Sequence, residues 1–214
     1  MNTFEKLSEE KQTTILDGAT ECFADKGYYG ASIKEICSKA NISNGALYKY
    51  FTNKEELFLA VLHKCQEILV ENLYEKYTHI KHSLVHTVEN YLEEIVKIHQ
   101  KYPNYIKVYA NLGSNNVEHF LKNLHSPFTK SANYIHNMVS EAKANGEILL
   151  DISENELSLL LDNYFILFLS SLVSDYHDLR FRFFLRMTPE ENLTNKRKIE
   201  FILDSITPFL AKTE

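Results

Sequence analysis

The residue types best suited to chemistry in this sequence lie between Ser32 and Lys54. When the apolar positions of this stretch are assigned to a core, small residues, an amide, phenols and a cation remain on the opposite face: Asn44, Gly45, Ala46, Tyr48, Lys49 and Tyr50. Small side chains let a helix approach the floor of the DNA major groove, and amides, phenols and ammonium groups hydrogen-bond to base edges and phosphates. This composition predicts a helix that contacts double-stranded DNA.

Two short helices joined by a tight turn are expected to position these groups. Ser32 and Glu35 have the spacing of a capping box, which predicts that the first helix starts at Ser32. Ser43 is a second N-cap candidate and opens a helix that runs to Phe51, with Leu47 pointing inward. The buried face of the first helix follows the three-and-four spacing of Ile33, Ile36, Cys37 and Ala40.

Charge favours the DNA interpretation over a purely structural one. Two short amphipathic helices with a tight turn also occur in helical proteins that never bind DNA, so the pattern alone leaves both interpretations open. Between Gly27 and Lys54 the one acidic residue is Glu35, whereas the lysines are Lys34, Lys39, Lys49 and Lys54. The whole chain has a formal net charge of −6, so any contact with a polyanion is expected to be local.

Composition indicates a soluble, helical, cytoplasmic protein of 214 residues. Only 6 Gly and 4 Pro are present, which favours long helices, and the N-terminal residues contain no apolar signal core. The most apolar run, from Leu157 to Val173, is interrupted by Asp162, so we predict a buried helix and no membrane contact. The cysteines are odd in number and lie on apolar faces, which predicts free core thiols in a reducing compartment: Cys22, Cys37 and Cys65.

Motifs around the helical pair carry a resemblance to a known family. They are I-L-x-x-A-x-x-x-F-x-x-x-G from Ile15 to Gly27, S-I-K-E-I at 32–36, A-N-I-S-N-G-A-L-Y-K-Y-F at 40–51, and N-K-E-E-L at 53–57. Together they resemble the N-terminal DNA-binding domain of TetR/AcrR-family transcriptional regulators. The resemblance covers about a quarter of the chain and is continuous through three helices and the start of a fourth.

The resemblance implies which residues face DNA. Carried over by position, they are Lys34, Asn44, Gly45, Ala46, Tyr48, Lys49, Tyr50 and Lys54. Tyr48 and Lys54 are expected mainly on phosphates. For Lys54 there is a further reason, because a lysine in the first turn of a helix is easier to understand when an anion lies at that helix terminus. Ala46 stands where many members have Thr, and Tyr50 where many have His, so no base preference can be transferred from a relative.

The fold expected from the whole pattern is all-α, with about nine helices. Residues 1–54 are predicted to form a helix-turn-helix DNA-binding domain of three helices, a fourth helix at about 54–75 to connect, and residues 76–214 to form an effector-binding and dimerisation domain. Ser153 and Glu156 predict the start of an apolar helix that runs to about Tyr176. Thr188 and Glu191 predict the start of a last helix that ends near Ala211.

A homodimer is expected from the helix that follows Ser153. This helix has a complete inward stripe, yet further apolar residues lie on its other faces, and a helix that is apolar nearly all round must be covered on both sides. We predict that the last helix joins it in a four-helix interface, with the contacts Leu159, Ile166, Leu167, Ile202, Ile206 and Phe209. The alternative is a helix buried wholly within its own subunit.

An effector cavity is implied by the family resemblance and by surplus aromatic residues in the middle of the chain. Tyrosines that bury a ring and leave a hydroxyl available suit a mostly apolar pocket, although each aromatic has an alternative role in the core. The predicted ligand contacts are Tyr91, Ile95, Tyr105, Tyr109, Phe120, Tyr134, Met138, Tyr164 and Phe168. The spacing of His79, His82 and His86 suits a metal, but a solvated His-rich turn is the interpretation we adopt, and we predict no metal or cofactor.

The functional hypothesis is a cytoplasmic, homodimeric, ligand-responsive transcriptional regulator that represses. Its expected partners are a palindromic DNA operator and a small-molecule effector. The alternative is a helical small-molecule carrier or enzyme that has kept a vestigial DNA-binding head. The sequence has no G-x-S-x-G, H-E-x-x-H, P-loop or dinucleotide motif, so we predict no enzymatic activity.

Overall fold

The structure is a computed structural model that describes residues 3–74, 83–112, 125–149, 152–188 and 190–210, with side chains omitted at 125–128. Within these ranges the chain is helical, and its β-structure is limited to an isolated bridge between Ile148 and Leu210. The predicted all-α fold class is confirmed.

Ten α-helices occur in the described residues, against about nine predicted. They are α1 Glu9–Gly30, α2 Ile33–Lys39, α3 Asn44–Tyr50, α4 Lys54–Leu69, α5 Leu84–Lys101, α6 Pro103–Ala110, α7 His125–Ala144, α8 Glu154–Val173, α9 Asp175–Phe184 and α10 Asn195–Ile206. A π-helical turn, Val70–Tyr74, continues α4, and a 3₁₀ turn, Thr207–Phe209, follows α10. Within α1, Gly27 has a non-helical backbone with a positive φ of 68°, and the helix continues beyond it to Gly30.

The predicted start of the last helix was wrong. Thr188 and Glu191 form a capped turn, in which the Thr188 N–H donates to the Glu191 carboxylate at 2.5 Å. The last helix does not begin at this turn. The last helix begins after Thr194, whose hydroxyl oxygen accepts the Arg197 N–H at 3.2 Å. The apolar spacing that a helix can bury starts only there, at Ile199.

The chain forms two compact units. Unit 1 comprises Met1–Ile68 and Tyr102–Asn123, and unit 2 comprises Leu69–Lys101 and Leu124–Glu214. α6 therefore belongs with α1 to α4 by its packing. The predicted boundary between a DNA-binding domain that ends at residue 54 and an effector-binding and dimerisation domain that begins at residue 76 stays a prediction.

Unit 1 has a small aromatic core that supports α3. Phe23, Leu47, Phe51 and Phe58 are all buried, and Leu47 points inward as predicted. The Phe23 and Phe58 rings meet edge to face with centroids 4.9 Å apart, a favoured aromatic geometry. These contacts fix one side of α3 and leave the other side available.

α6 is attached to α1 and α4 by polar contacts from one residue. The buried Tyr105 donates its hydroxyl to Asp17 at 2.8 Å, and its carbonyl accepts a weak hydrogen bond from the Cys65 thiol at 3.3 Å. Burial raises the pKa of Cys65, so this thiol stays protonated. Cys22 and Cys37 are also buried and free, so the prediction of core thiols is confirmed.

Unit 2 is built around α8. Its buried face packs on α5 and α7 and includes Leu157, Leu161, Phe165 and Phe168. Ser153 and Glu156 form the predicted capping box at its start, with the Ser153 oxygen accepting the Glu156 N–H at 3.2 Å. By length and composition α8 is also long and apolar enough to cross a membrane, but a core helix passes the same test, and the buried face supports the predicted core role.

Candidate nucleic-acid interface

Both predicted N-caps of the helix pair are present. The Ser32 hydroxyl oxygen accepts the Glu35 N–H at 3.3 Å, and the Ser43 hydroxyl oxygen accepts the Ala46 N–H at 3.1 Å. Each bond satisfies one of the backbone donors that a helix start leaves without a partner. α2 and α3 therefore begin where the sequence predicted.

The turn between α2 and α3 is a Schellman motif centred on Asn41. The Ile42 N–H donates to the Cys37 carbonyl at 3.0 Å, and the Asn41 N–H donates to the Ser38 carbonyl at 3.3 Å. Asn41 has a φ of 51°, in the left-handed region that asparagine tolerates better than most residues. These backbone bonds fix the angle at which α3 leaves α2.

α3 presents the predicted face away from its own core. Leu47 is buried, whereas Asn44, Gly45, Tyr48 and Lys49 are exposed, with 52% of Tyr48 accessible. Ala46 and Tyr50 are half-buried at the edge of this surface. A Cβ atom placed on Gly45 would meet nothing within 4 Å, so the helix has open space there for close approach of another molecule.

The cations near α3 differ in how far they are already paired. Lys34 and Lys49 are exposed and form no ion pair with any described residue. Lys39 is paired with Glu21. Glu35 is paired with Lys26 and accepts the Ser32 hydroxyl, and these hydrogen bonds lower the pKa of Glu35. The one acidic group in the segment is thus neutralised locally, while two lysines remain available for an anion.

Lys54 has partners inside unit 1. Its ammonium donates to the Ala31 carbonyl at 3.1 Å and lies 4.6 Å from the centroid of the Tyr28 ring, within cation–π range. The start of α4 is capped by Asn53, whose side-chain oxygen accepts the Glu56 N–H at 2.8 Å. The expected contact of Lys54 with a phosphate stays a prediction, and it requires the ammonium to share or exchange these partners.

The N-terminal segment supports α3 in a way that sequence reasoning missed. The Thr3 hydroxyl donates to the Lys49 carbonyl at 2.7 Å. Phe4 is buried, and its ring centroid lies 4.8 Å from that of Phe51 and 6.3 Å from that of Tyr50. The feature of the sequence that could have indicated this was an aromatic residue, Phe4, in a mostly polar N-terminal segment. Phe4 anchors the C-terminal end of α3, so this segment helps to fix the predicted DNA-facing surface.

Comparison with known proteins agrees with this geometry. Residues 15–61 match the family described as "Bacterial regulatory proteins, tetR family". Over 166 residues the chain is 30% identical to the HTH-type transcriptional regulator UidR of Escherichia coli K12, covering 75% of this chain and 81% of UidR. The chain belongs to the TetR family. It is therefore a DNA-binding transcriptional regulator, as the resemblance implied.

Solved TetR-like structures share the fold across nearly the whole chain. AibR, solved in complex with isovaleryl coenzyme A and operator DNA, has a TM-score of 0.67 at 15% identity, covering 92% of this chain and 98% of AibR. FadR from Bacillus subtilis, solved in complex with stearoyl-CoA, has a TM-score of 0.69 at 17% identity, covering 91% of this chain and 98% of FadR. At these identities the likeness establishes the fold of this TetR-family chain.

The predicted effector contacts fall in both units. In unit 2, Tyr164 is half-buried and the buried members are Tyr91, Ile95, Tyr134, Met138 and Phe168. Tyr105 and Tyr109 belong to unit 1, where Tyr105 serves the packing of α6. Phe120 lies outside the described residues. A cavity of about 20 Å³, room for a single water, borders Met138 and Leu84.

Rings in unit 2 form a continuous row, here called the aromatic row. Phe165 and Tyr91 have centroids 4.1 Å apart, Tyr91 and Tyr134 are 5.8 Å apart, and Tyr134 and Tyr74 are 5.2 Å apart. Phe165 and Tyr74 were not among the predicted effector contacts. Their signal was the same aromatic excess, but Tyr74 lies in the π turn after α4, which was predicted as a plain connector.

The predicted dimer contacts are only partly surface residues. Leu159 and Ile166 of α8 are 63% and 57% exposed, and Leu167 and Phe209 are half-buried. Ile202 and Ile206 must be corrected: both are 0% exposed, because their side of α10 packs within unit 2. The described structure adds an exposed apolar face that was not predicted, on α9: Tyr176, Leu179, Phe183 and Phe184.

The histidine cluster falls largely outside the described residues. His79 and His82 are not described, and His86 is exposed with its ring nitrogen 3.7 Å from the Glu89 carboxylate. Elsewhere in the described ranges no group of three or more metal-binding side chains occurs. The structure therefore supplies no donor set from which a metal site can be argued.

Proposed function

We propose that this regulator is a homodimeric repressor that binds a palindromic operator through α3 and is released from it by a small-molecule effector. The observation that carries the proposal is the exposed face of α3, whose back is fixed by Leu47 while Asn44, Tyr48 and Lys49 stay exposed. A helix in this state can enter a major groove without rearranging the core that supports it.

Each predicted DNA contact has a proposed role. Tyr48, Lys34 and Lys54 bind phosphates, which sets affinity for any sequence. Asn44 and Lys49 contact base edges, which sets preference between sequences. Gly45 and Ala46 keep the helix close to the groove, and Tyr50 lies at the margin, where Phe4 supports its ring.

Dimerisation is part of the proposal because it sets the spacing of the two α3 helices. Consecutive major grooves on one face of DNA are about 34 Å apart, and only a fixed dimer can hold two reading helices at that distance. We assign the dimer surface to Leu159, Ile166 and Leu167 of α8, with Phe209. Exposed leucine and isoleucine on a helix of a regulator are best explained by a second copy that covers them.

The effector is proposed to bind in unit 2, near the aromatic row. AibR and FadR, which share the fold, were solved with isovaleryl coenzyme A and stearoyl-CoA, and this supports a small-molecule effector for this chain. Release follows if the effector binds more tightly to a conformation whose α3 helices have the wrong separation.

A regulator of this kind needs no catalytic step, and it acts in the cytoplasm, where the chromosome of a bacterium lies. The competing hypothesis, a carrier or enzyme with a vestigial head, differs in one measurable respect. The protein would then lack sequence-selective, salt-sensitive binding to DNA.

The test is a fluorescence-anisotropy titration of the full-length protein on its own upstream region and on random DNA of equal length. We expect the upstream region to bind at least a hundredfold more tightly, with affinity falling steeply as salt rises. Equal affinity for both DNAs would overturn the proposal.

Substitutions on α3 should separate affinity from preference. Tyr48→Ala is expected to weaken binding to operator and random DNA alike by about tenfold, or about 1.4 kcal/mol, because a phosphate contact is lost. Asn44→Ala and Lys49→Ala should mainly reduce the ratio between the two affinities. Lys11→Ala, which alters an exposed lysine of α1, is the matched control. If Asn44→Ala and Lys49→Ala weakened binding to both DNAs equally, as expected for Tyr48→Ala, the role assignment would be wrong.

A charge on the proposed dimer surface should abolish pairing. Ile166→Asp is expected to convert the dimer to a folded monomer in sedimentation velocity and to reduce operator affinity at least tenfold, because an aspartate resists burial in an apolar interface. Asn137→Asp is the control, since Asn137 is exposed on α7 of unit 2, away from the proposed dimer surface. A variant that remains dimeric would exclude this face of α8.

A further inference from the structure

Four elements of unit 2 meet at the aromatic row. The π turn carries Tyr74, α5 carries Tyr91, α7 carries Tyr134 and α8 carries Phe165, and these elements pack on one another. The Tyr74 hydroxyl is removed from water, which raises the pKa of Tyr74, while hydrogen bonds with Tyr91 and Ser131 act in the opposite direction. The row is thus a packed set of rings in which the Tyr74 and Tyr91 hydroxyls are hydrogen-bonded to each other.

An unpaired carboxylate lies beside this row. Asp162 is one helical turn before Phe165 on α8, so the two side chains share a face of the helix. Asp162 is half-buried, and no described residue gives it a hydrogen bond or an ion pair. The negative charge of Asp162 helps to raise the pKa of Tyr74, and burial raises the pKa of Asp162 itself above its usual range. A desolvated carboxylate without a partner destabilises the free protein.

A second unsatisfied group lies one turn earlier on the same helix face. Ser158 is only 4% exposed, and its hydroxyl has no hydrogen-bond partner among the described residues. Ser158 and Asp162 are four residues apart, so their side chains are neighbours along α8. Buried polar groups are nearly always hydrogen-bonded, so the unsatisfied Ser158 hydroxyl beside the half-buried Asp162 points to a missing ligand.

The charge of the site selects among ligand classes. An anionic group would be repelled by Asp162, and a neutral hydroxyl would recover only a hydrogen bond. An ammonium group would recover an ion pair with Asp162 and, in addition, cation–π attraction to the neighbouring rings. We propose that the effector carries a cationic amine, bound by Asp162 with Ser158 as a polar contact and its apolar part against the aromatic row. This inference rests on the proposed function, since it names the effector class for the same unit.

The inference distinguishes this chain from the acyl-CoA complexes of its structural neighbours. The phosphates of coenzyme A are anionic, so an acyl-CoA places no cation on Asp162. A binding measurement without DNA therefore decides between ligand classes without depending on the operator.

The experiment is isothermal titration of the full-length protein with three probes of matched shape: phenethylammonium, phenethyl alcohol and phenylacetate. We expect the ammonium to bind at least tenfold more tightly than the alcohol, with phenylacetate the weakest. Asp162→Asn should remove this preference, whereas Asp204→Asn, an exposed aspartate of α10, should leave it intact. Equal binding of the three probes, or a preference unchanged in Asp162→Asn, would overturn the inference.

Thermal unfolding gives a second readout that a structural role would not produce. Because Asp162 has no partner among the described residues, Asp162→Asn is expected to raise the unfolding temperature while it removes amine binding. A lower unfolding temperature would show that Asp162 holds the fold together instead. If operator binding is intact but no amine binds, the inference fails and the proposed function stands; if sequence-selective DNA binding is absent, the proposed function itself fails.

Discussion

Asp178→Asn is expected to lower the free energy of unfolding by about 3 to 5 kcal/mol, because it leaves a buried lysine without its counter-ion. The Lys198 side chain is 4% exposed, and its ammonium lies 2.6 Å from the Asp178 carboxylate. It also donates to the carbonyl and hydroxyl oxygens of Ser171 at 3.3 and 3.2 Å. This Lys198 clamp joins α8, α9 and α10 within unit 2, and the measurement is a urea unfolding curve.

Two comparisons test whether the charge pair is responsible. Asp204→Asn removes an exposed carboxylate from α10 and should change stability by less than about 0.5 kcal/mol. The double variant Asp178→Leu with Lys198→Met should recover most of the loss, since a buried ion pair replaced by apolar residues is often neutral. A double variant as unstable as Asp178→Asn would show that the loss comes from packing around Asp178.

The same pair predicts how stability depends on pH. Burial alone would raise the pKa of Asp178, but the hydrogen bonds and charges of Lys198 and Arg182 outweigh it and hold this pKa below its usual range. A carboxylate whose pKa is lower in the folded state stabilises the protein above its unfolded pKa, about 3.9, and this contribution is lost as pH falls through the folded value. Asp178→Asn should flatten the acid limb of stability between those two pH values.

Gly18→Ala is expected to lower the free energy of unfolding of unit 1 by about 1 to 3 kcal/mol, the usual cost of overpacking. A Cβ atom on Gly18 would lie 2.7 Å from the Ala40 backbone nitrogen and 3.0 Å from its Cα. Backbone atoms cannot move aside as a flexible side chain can, so α1 and the end of α2 must separate. Because Ala40 precedes the turn into α3, operator affinity should fall with stability in the same variant.

Gly45→Ala is the matched control, because it makes the same chemical change in open space. Alanine has a higher helix propensity than glycine by about 1 kcal/mol, so the free protein should be as stable or more stable. Operator affinity should nevertheless fall, since the added methyl lies on the proposed DNA-facing surface. Unchanged affinity in Gly45→Ala would show that α3 does not approach DNA at this residue, and an unchanged stability in Gly18→Ala would contradict the close packing.

Local chemistry made several features predictable. Ser32, Ser43 and Ser153 cap helices as their spacing indicated. A cap bond joins groups three residues apart, so the sequence contains all its participants. The predicted core of unit 1 follows for a similar reason, because helical periodicity brings apolar residues to one face.

Features that depend on distant partners were not predictable in this way. The clamp joins Lys198 to residues 20 and 27 positions away, and nothing in the local pattern distinguishes this lysine from a surface one. Phe4 meets α3 across more than 40 residues of chain. Thr188 and Glu191 had correct cap spacing but no apolar face to bury, so the helix started later, at Asn195.

The sequence by itself determined the family, the helix-turn-helix and the residues exposed on α3, because these depend on spacing within a few turns of chain. Only the tertiary structure decided which apolar residues are exposed and which polar residues have no hydrogen-bond partner among the described residues. Periodicity places Ile166 and Ile202 equally well in an interface, yet the first is exposed and the second is fully buried in its own unit. Periodicity likewise cannot show that Asp162 and Ser158 have no hydrogen-bond partner among the described residues, since this becomes visible only when the described helices around them are in place.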